Sequence, residues 1–408
     1  NEVLLRRDLS MAEMAAMLTE VRQGAGVPVT TAEIWSAWLR HPELANAVDV
    51  LTVHILPYWD VQADDMAEVL AFTENSVKSV AQAYAHKPIF IGEVGWPSFG
   101  RARGGVAPGL VEQAEFLRGL VAMAARNGWS YNAIEGFDQP WKRRWEGAAG
   151  GYWGVLDADG ALKWPLAGPV SANPSWLLQA QAAIALGVGL LFASLASAGT
   201  GRRWWLAALL AAPAAAILVQ QALFSAAIVA RLYEPVLALG ALTASGVFAV
   251  LGLAVAAGRE KWDIPNLAEA MAGRGRRLGW LTLAVRVGIA ALALALLFDP
   301  RHRDFHSVIV ALPALVLAVA VRMRATPPER LLGVLVAACG VAVAVREMNA
   351  DALGWAAICL LTAWPLVMQR QHQAQRGGGG VGEGVAEGKA DDADRHGDQR
   401  AKAPAEAG

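Results

Sequence analysis

Residues Lys87–Ser98 read KPIFIGEVGWPS. The stretch opens as an apolar run, the pattern of a strand buried on both faces, and closes on Glu93, Gly95, Trp96 and Pro97. Glu93 is expected just beyond a strand from Pro88 to Ile91, where Gly95 permits tight backbone geometry. Three other runs share this build: VPVTTAEIW, closing at Trp35; VDVLTVHILPYW, from Val48 to Trp59; and SYNAIEGFDQPW, from Ser130 to Trp141. Between them lie helical patterns. SMAEMAAMLTEVRQGAG opens with a capping box of Ser10 and Glu13 and stops at Gly24 and Gly26. GLVEQAEFLRGLVAMAARNG has apolar residues at helical spacing and ends at Gly128. Apolar strands alternating with helices indicate a parallel α/β region. Polar and aromatic residues gathered at the strand C-terminal ends favour a (β/α)8 barrel over a doubly wound sheet.

The composition changes near Pro174. The 408-residue chain is 55% hydrophobic and only 17% charged, too apolar for an ordinary soluble protein. After that point, about seven apolar runs of about 17–25 residues, each long enough to span a bilayer, imply an all-α polytopic transmembrane bundle. They begin near Trp176, Trp204, Pro235, Leu278, Phe305, Leu331 and Ala352, and the last ends near Met368. Arg202, Arg203, Arg259, Lys261, Arg274, Arg276, Arg277, Arg322, Arg324, Arg330, Arg370 and Arg376 fall on one side, against Arg231, Arg301, Arg303 and Arg346 on the other. The excess marks the cytoplasmic side, which places the α/β region outside, in the periplasm of a bacterium with an inner membrane. From about Gly377 the chain is Gly, Ala and charged residues, a composition expected to be disordered. The expected division is therefore 1–173 for the α/β region, 174–370 for the membrane bundle and 371–408 for a cytoplasmic tail.

Several classes are disfavoured. A net charge of −1 gives no electrostatic footprint for nucleic acid. Cys339 and Cys359 both lie in apolar runs and suggest neither a disulfide framework nor a metal cluster. No phosphate loop, nucleotide fingerprint or metal motif appears, so neither a cofactor nor a metal is expected.

Glu93 invites a two-carboxylate reading. Glycoside cleavage needs one carboxyl group to protonate the leaving oxygen and, in a retaining enzyme, a second to attack the anomeric carbon. Glu2, Glu33, Glu135 and Asp138 all sit near expected strand ends, and spacing does not choose among them. Trp35, Trp59, Trp96, Trp141 and Trp153 divide between stacking platforms and core. Glu33 reads equally as a ligand of substrate hydroxyls or a solvated strand-end residue. His54 reads as a satisfied, partly buried histidine, and WKRRW (Trp141–Trp145) as a solvated loop apart from Lys142. Arg286 lies within the fourth apolar run, as a functional intramembrane charge or one that snorkels to the cytoplasmic face.

IGEVGWPS closely resembles the nucleophile motif of glycoside hydrolase family 17, the β-1,3-glucanase family, where it ends the seventh barrel strand. The opening Asn1-Glu2-Val3 is similar to the family's Asn-Glu motif at the end of the fourth strand. FDQPWK, from Phe137 to Lys142, resembles the eighth-strand motif, with Gln139 where plant members carry Glu. GYWGVLDADGALKWPL, from Gly151, resembles the closing segment of bacterial members. The resemblance covers about the first 170 residues. It implies Glu93 as nucleophile, Glu2 as acid/base, Asn1 on the sugar 2-hydroxyl and Tyr58 positioning the nucleophile. It also implies substrate contacts from Asp138 and Lys142, beside Trp96, which offers a flat apolar wall for a sugar ring, and Trp141, a candidate stacking platform.

The implied function is a membrane-anchored retaining glycosidase or transglycosylase that cleaves or remodels β-1,3-glucan, including β-1,3/1,6-glucan synthesis, with a β-glucan and the lipid bilayer as partners. Only strands five to eight are then expected in this chain. It reads as a fragment, and a partial barrel threatens activity even with both carboxylates in place. Two rivals remain. A glucan transporter would carry polar residues through its spans, and a non-catalytic glucan-binding module would have no need of both carboxylates.

Overall fold

The computed structural model describes residues 1–198, 201–299 and 301–368. The tail from Gly377, together with Arg370 and Arg376, lies outside them.

The α/β region is a four-stranded parallel sheet in the order β1-β2-β3-β4, with helices between the strands. Its elements are α1 (Val3–Arg6), α2 (Met11–Ala25), β1 (Ala32–Ile34), α3 (Trp35–Arg40), α4 (Pro42–Asn46), β2 (Leu51–Ile55), α5 (Pro57–Asp60), α6 (Met66–Ala83), β3 (Ile89–Val94), α7 (Leu110–Asn127), β4 (Ser130–Ala133) and α8 (Arg143–Glu146). The local signals act as expected. The Ser10–Glu13 capping box starts α2, and Gly128 ends α7 in the left-handed conformation at φ 67°. β2 is buried along its whole length, as its unbroken apolar run requires. Trp38 packs beneath it, fully buried, and its indole N–H donates to the Thr52 carbonyl at 3.0 Å.

Two strand boundaries differ from expectation. β1 is only three residues long, because the chain turns helical at Trp35. β3 does not stop at Ile91 but runs through Glu93 to Val94. It carries one extra residue there. Val53 pairs with Ile91, yet the next residue, His54, pairs with Glu93. This bulge at Gly92 turns Glu93 toward His54. Gly92 also makes room for the imidazole, since a Cβ there would lie 3.0 Å from both His54 Cδ2 and His54 Nε2.

The helical region contains α9 (Trp176–Ala198), α10 (Trp204–Ile228), α11 (Glu234–Ala256), β5 (Trp262–Ile264), α12 (Leu267–Met271), α13 (Arg276–Phe298), α14 (Ser307–Ala320), β6 (Val321–Met323), α15 (Pro327–Glu347) and α16 (Ala350–Val367). Among the described residues, six helices are long and apolar enough to cross a membrane, fewer than the seven runs counted in the sequence. The run from Phe305 is the exception. It forms only the 14-residue α14, after which the backbone becomes extended at Val321 and pairs in parallel with β5. The region is therefore not all-α. Ile264, Val321 and Met323 are buried in protein, which protects this short sheet. Arg286 does not snorkel. It is 3% exposed, and its Nη1 lies 2.7 Å from the Met323 sulfur.

Candidate active site

Adjacent parallel strands in register present side chains to the same face, so the pairing of His54 with Glu93 sets the two side by side. Glu2 reaches them from the segment before α1. Its N–H donates to the Ala32 carbonyl at 2.7 Å, which ties it to the start of β1. Its backbone takes the left-handed conformation at φ 53°, uncommon for a residue with a Cβ. Glu33, expected as a solvated strand-end residue or a substrate ligand, is fully buried instead. Its Oε1 accepts the Leu4 N–H at 2.9 Å, so it anchors the segment that carries Glu2.

A carboxylate oxygen of Glu2, one of Glu93 and a ring nitrogen of His54 all lie within 4.8 Å of one another. His54 Nδ1 is 3.1 Å from Glu2 Oε1 and 3.6 Å from Glu93 Oε2. The Asn1 amide donates to Glu93 Oε1 at 3.3 Å. The hydrogen bond from His54 holds the Glu2 carboxyl below the usual carboxylate range, against the opposing effect of burial. Glu2, His54 and Glu93 are also the group, among the described residues, whose spacing could hold a metal ion.

Sequence reasoning undervalued His54. A histidine within an apolar strand is ordinarily a satisfied core residue, and here it is 2% exposed. The overlooked signal was the glycine at position 92 beside Glu93. It made space for a ring on the neighbouring strand.

Glu135, after β4, forms a second polar group. Its Oε2 accepts from Lys142 Nζ and from the Gln139 amide, both at 2.6 Å. Trp141 beside it is 63% exposed and free to stack. Trp145 of the WKRRW segment is also exposed, but Arg143 is not simply solvated: it bonds the Val229 carbonyl at 3.2 Å and lies over Tyr152.

Other expected site residues serve the scaffold. Tyr58 does not bond to Glu93. Its hydroxyl donates to the Arg101 carbonyl at 3.0 Å, and its ring packs edge-on to Trp96 and Trp153. Trp96 is 3% exposed against Phe116, so its indole is core and not a wall for a sugar. Trp153 is buried with it, while Trp59 is half-buried at the strand ends. Asp138 is buried and bonded to Lys163 Nζ and to the Gly154 N–H, each at 2.8 Å. Burial raises the Asp138 carboxyl and lowers the Lys163 ammonium from their ordinary values. Together they clamp the loop after β4 to the closing segment.

Residues 1–154 match the family model described as the BtgE/BtgC glycoside hydrolase domain. The probable glucan endo-1,3-beta-glucosidase btgC of Aspergillus terreus is 30% identical over 191 residues, covering 40% of this chain and 28% of that protein. The glucan 1,3-beta-glucosidase BGL2 of Candida albicans is 25% identical over 189 residues, covering 41% of this chain and 60% of that protein. A glycoside hydrolase family 17 beta-1,3-glucanosyltransferase from Rhizomucor miehei aligns with TM-score 0.36 and 23% identity, over 40% of this chain and 59% of its own. The chain thus spans less than two thirds of each of these relatives.

Proposed function

We propose that the α/β region is a β-1,3-glucan-active glycosidase or transglycosylase that works by double displacement. Glu93 is the nucleophile and Glu2 the acid/base. The observation that carries this reading is the closeness of the two carboxylates, with oxygens within 4.8 Å. Retaining enzymes hold their carboxyl groups roughly 5–5.5 Å apart, whereas inverting enzymes need about 6.5–9.5 Å to admit a water. The match over residues 1–154 and the β-1,3-glucosidase relatives support the substrate class.

In the first step Glu93 attacks the anomeric carbon while the glycosidic C–O bond breaks. Glu2 gives its proton to the departing oxygen. In the second step Glu2 takes a proton from the acceptor hydroxyl, whose oxygen attacks the same carbon and displaces Glu93. Water as acceptor gives hydrolysis, and a glucan hydroxyl gives chain transfer and remodelling. His54 favours the ionised form of Glu2, which is the form needed to accept that proton. The Asn1 amide, already on Glu93, is placed to meet the sugar 2-hydroxyl.

The four parallel strands fit an arc of a (β/α)8 barrel, with the site at their C-terminal ends. The region from about residue 174 serves as the membrane anchor. α14 acts as a short seventh crossing, its 14 helical residues adding about 21 Å, and β6, whose exposed Arg322 belongs to the basic side, continues it at the cytoplasmic rim. The α/β region contacts the ends near Val229, Arg303 and Glu347, opposite the basic cluster. This supports an extracytoplasmic active site.

The test is product analysis of the full chain on laminari-oligosaccharides. Retained β-anomers are expected, with longer products if transfer operates. Inverted products, or full activity in Glu93→Gln, would sink the mechanism.

A further inference from the structure

The strand-end loops of the α/β region meet the loop that joins α13 to α14. Arg103 donates to the Arg301 carbonyl, and Arg101 donates to the Arg303 carbonyl at 2.9 Å. The Asp304 carboxylate accepts the Ala148 N–H at 2.9 Å. Gly147, at φ 74°, comes so near that a Cβ would lie 2.8 Å from the His302 carbonyl oxygen. On the opposite rim, the Arg301 guanidinium lies 5.8 Å from the Trp59 ring and the His302 imidazole 5.5 Å from it. The loop therefore runs from the segment after β2, which ends in Trp59 and Asp60, to the segment after β4 at Glu146–Ala148. Those two segments flank the strands that carry His54 and Glu93.

We propose that Arg301 and His302 of the helical region form a binding wall beside the carboxylate site and hold the glucan chain beside Trp59. This rests on the glucan-active reading of Glu2 and Glu93. The chemistry suits a neutral polyhydroxylated chain. The Arg103 guanidinium lies 4.3 Å over the Trp59 ring, so the indole offers sugar C–H groups only the part it leaves uncovered, and the Arg301 guanidinium fork donates to neighbouring hydroxyls. Arg301 and His302 are both exposed. The docking bond to Arg103 uses the Arg301 carbonyl, so truncating its side chain leaves that contact in place. The membrane region is thus part of the substrate site as well as an anchor. A glucan bound at the carboxylates runs along the surface where the two regions meet.

The test uses the full chain in lipid nanodiscs, with laminari-oligosaccharides of increasing length. Arg301→Ala should raise KM for the longer substrates by about tenfold, the loss of one hydrogen bond to a charged group, and His302→Ala by about fivefold, the loss of a neutral one, with little change in kcat. Arg301→Lys should restore part of the loss. A second measurement titrates laminarihexaose into the Glu93→Gln chain by tryptophan fluorescence, where the same loop substitutions should weaken binding by a similar factor. Unchanged KM and unchanged affinity in the double loop variant would overturn the proposal and leave the carboxylate mechanism standing. Full turnover in Glu93→Gln with raised KM in the loop variants would sink the nucleophile assignment and keep the wall. An unsubstituted chain that neither binds nor turns over laminari-oligosaccharides would overturn both.

Discussion

Gly95→Ala is the substitution whose effect on the site can be worked most directly from packing. Gly95 follows Glu93 by two residues, at the point where β3 passes closest to the chain leaving β4. A Cβ there would lie 3.0 Å from Ile134 Cγ2 and 3.3 Å from the Ile134 carbonyl carbon, and far inside contact with the carbonyl oxygen. The obstacle is backbone, which no rotamer change removes. The Ile134 N–H also donates to the Val94 carbonyl at 2.9 Å, so the two segments are tied where they would have to part. Relief requires the end of β3 to move by roughly 1 Å, and a displacement of that size at a reacting carboxylate costs on the order of 10²-fold in rate. Gly136→Ala is the matched control, since its Cβ would meet nothing within 4 Å. The assay is turnover of laminari-oligosaccharides by the full chain, with circular dichroism and tryptophan fluorescence showing that each variant is folded. A folded Gly95→Ala chain within about threefold of the control would refute the claim that this packing sets the position of Glu93.

Two further predictions concern electrostatics. His54→Leu removes the hydrogen bond that does most to hold the Glu2 carboxyl low, so the Glu2 pKa rises. A general acid works only while protonated, so the basic limb of the kcat/KM profile should move to higher pH; an unmoved or lowered limb contradicts the coupling. Lys163→Met leaves the buried Asp138 carboxylate with only the Gly154 N–H, and breaking such a pair should cost about 3–5 kcal/mol, read by urea unfolding followed by tryptophan fluorescence. Adding Asp138→Leu should recover much of the loss, and a stable single variant would show that the pair contributes little.

What could be read in advance followed from local chemistry. Strands β2 and β3 announced themselves as apolar runs, helix α2 by its capping box, and Glu93 by its place at the end of such a run. Register was not legible. The extra residue at Gly92 is invisible to a pattern of alternation, yet it brings His54 against Glu93. Burial of aromatics was equally hidden. Trp96 and Trp59 carry the same side chain near strand ends and both pack against Tyr58, but Trp96 also lies against the buried Phe116 and is core. In the helical region, composition marked the run at Phe305 correctly as apolar. It could not show that Val321–Met323 would leave the helix to pair with β5, because that choice depends on a partner strand about 60 residues away. The contacts of Arg101, Arg103 and Asp304 between the two regions likewise had no local signature.

The central claim is that Glu93 attacks the sugar. A laminaribioside with fluorine at C2 and an activated leaving group slows the second displacement and traps the intermediate. Peptide mass spectrometry of the full chain should then find one glycosyl group, on the carboxylate of Glu93, and none in Glu93→Gln. A label on Glu2, Glu135 or any other residue, or continued turnover of the natural substrate by Glu93→Gln, would contradict the account.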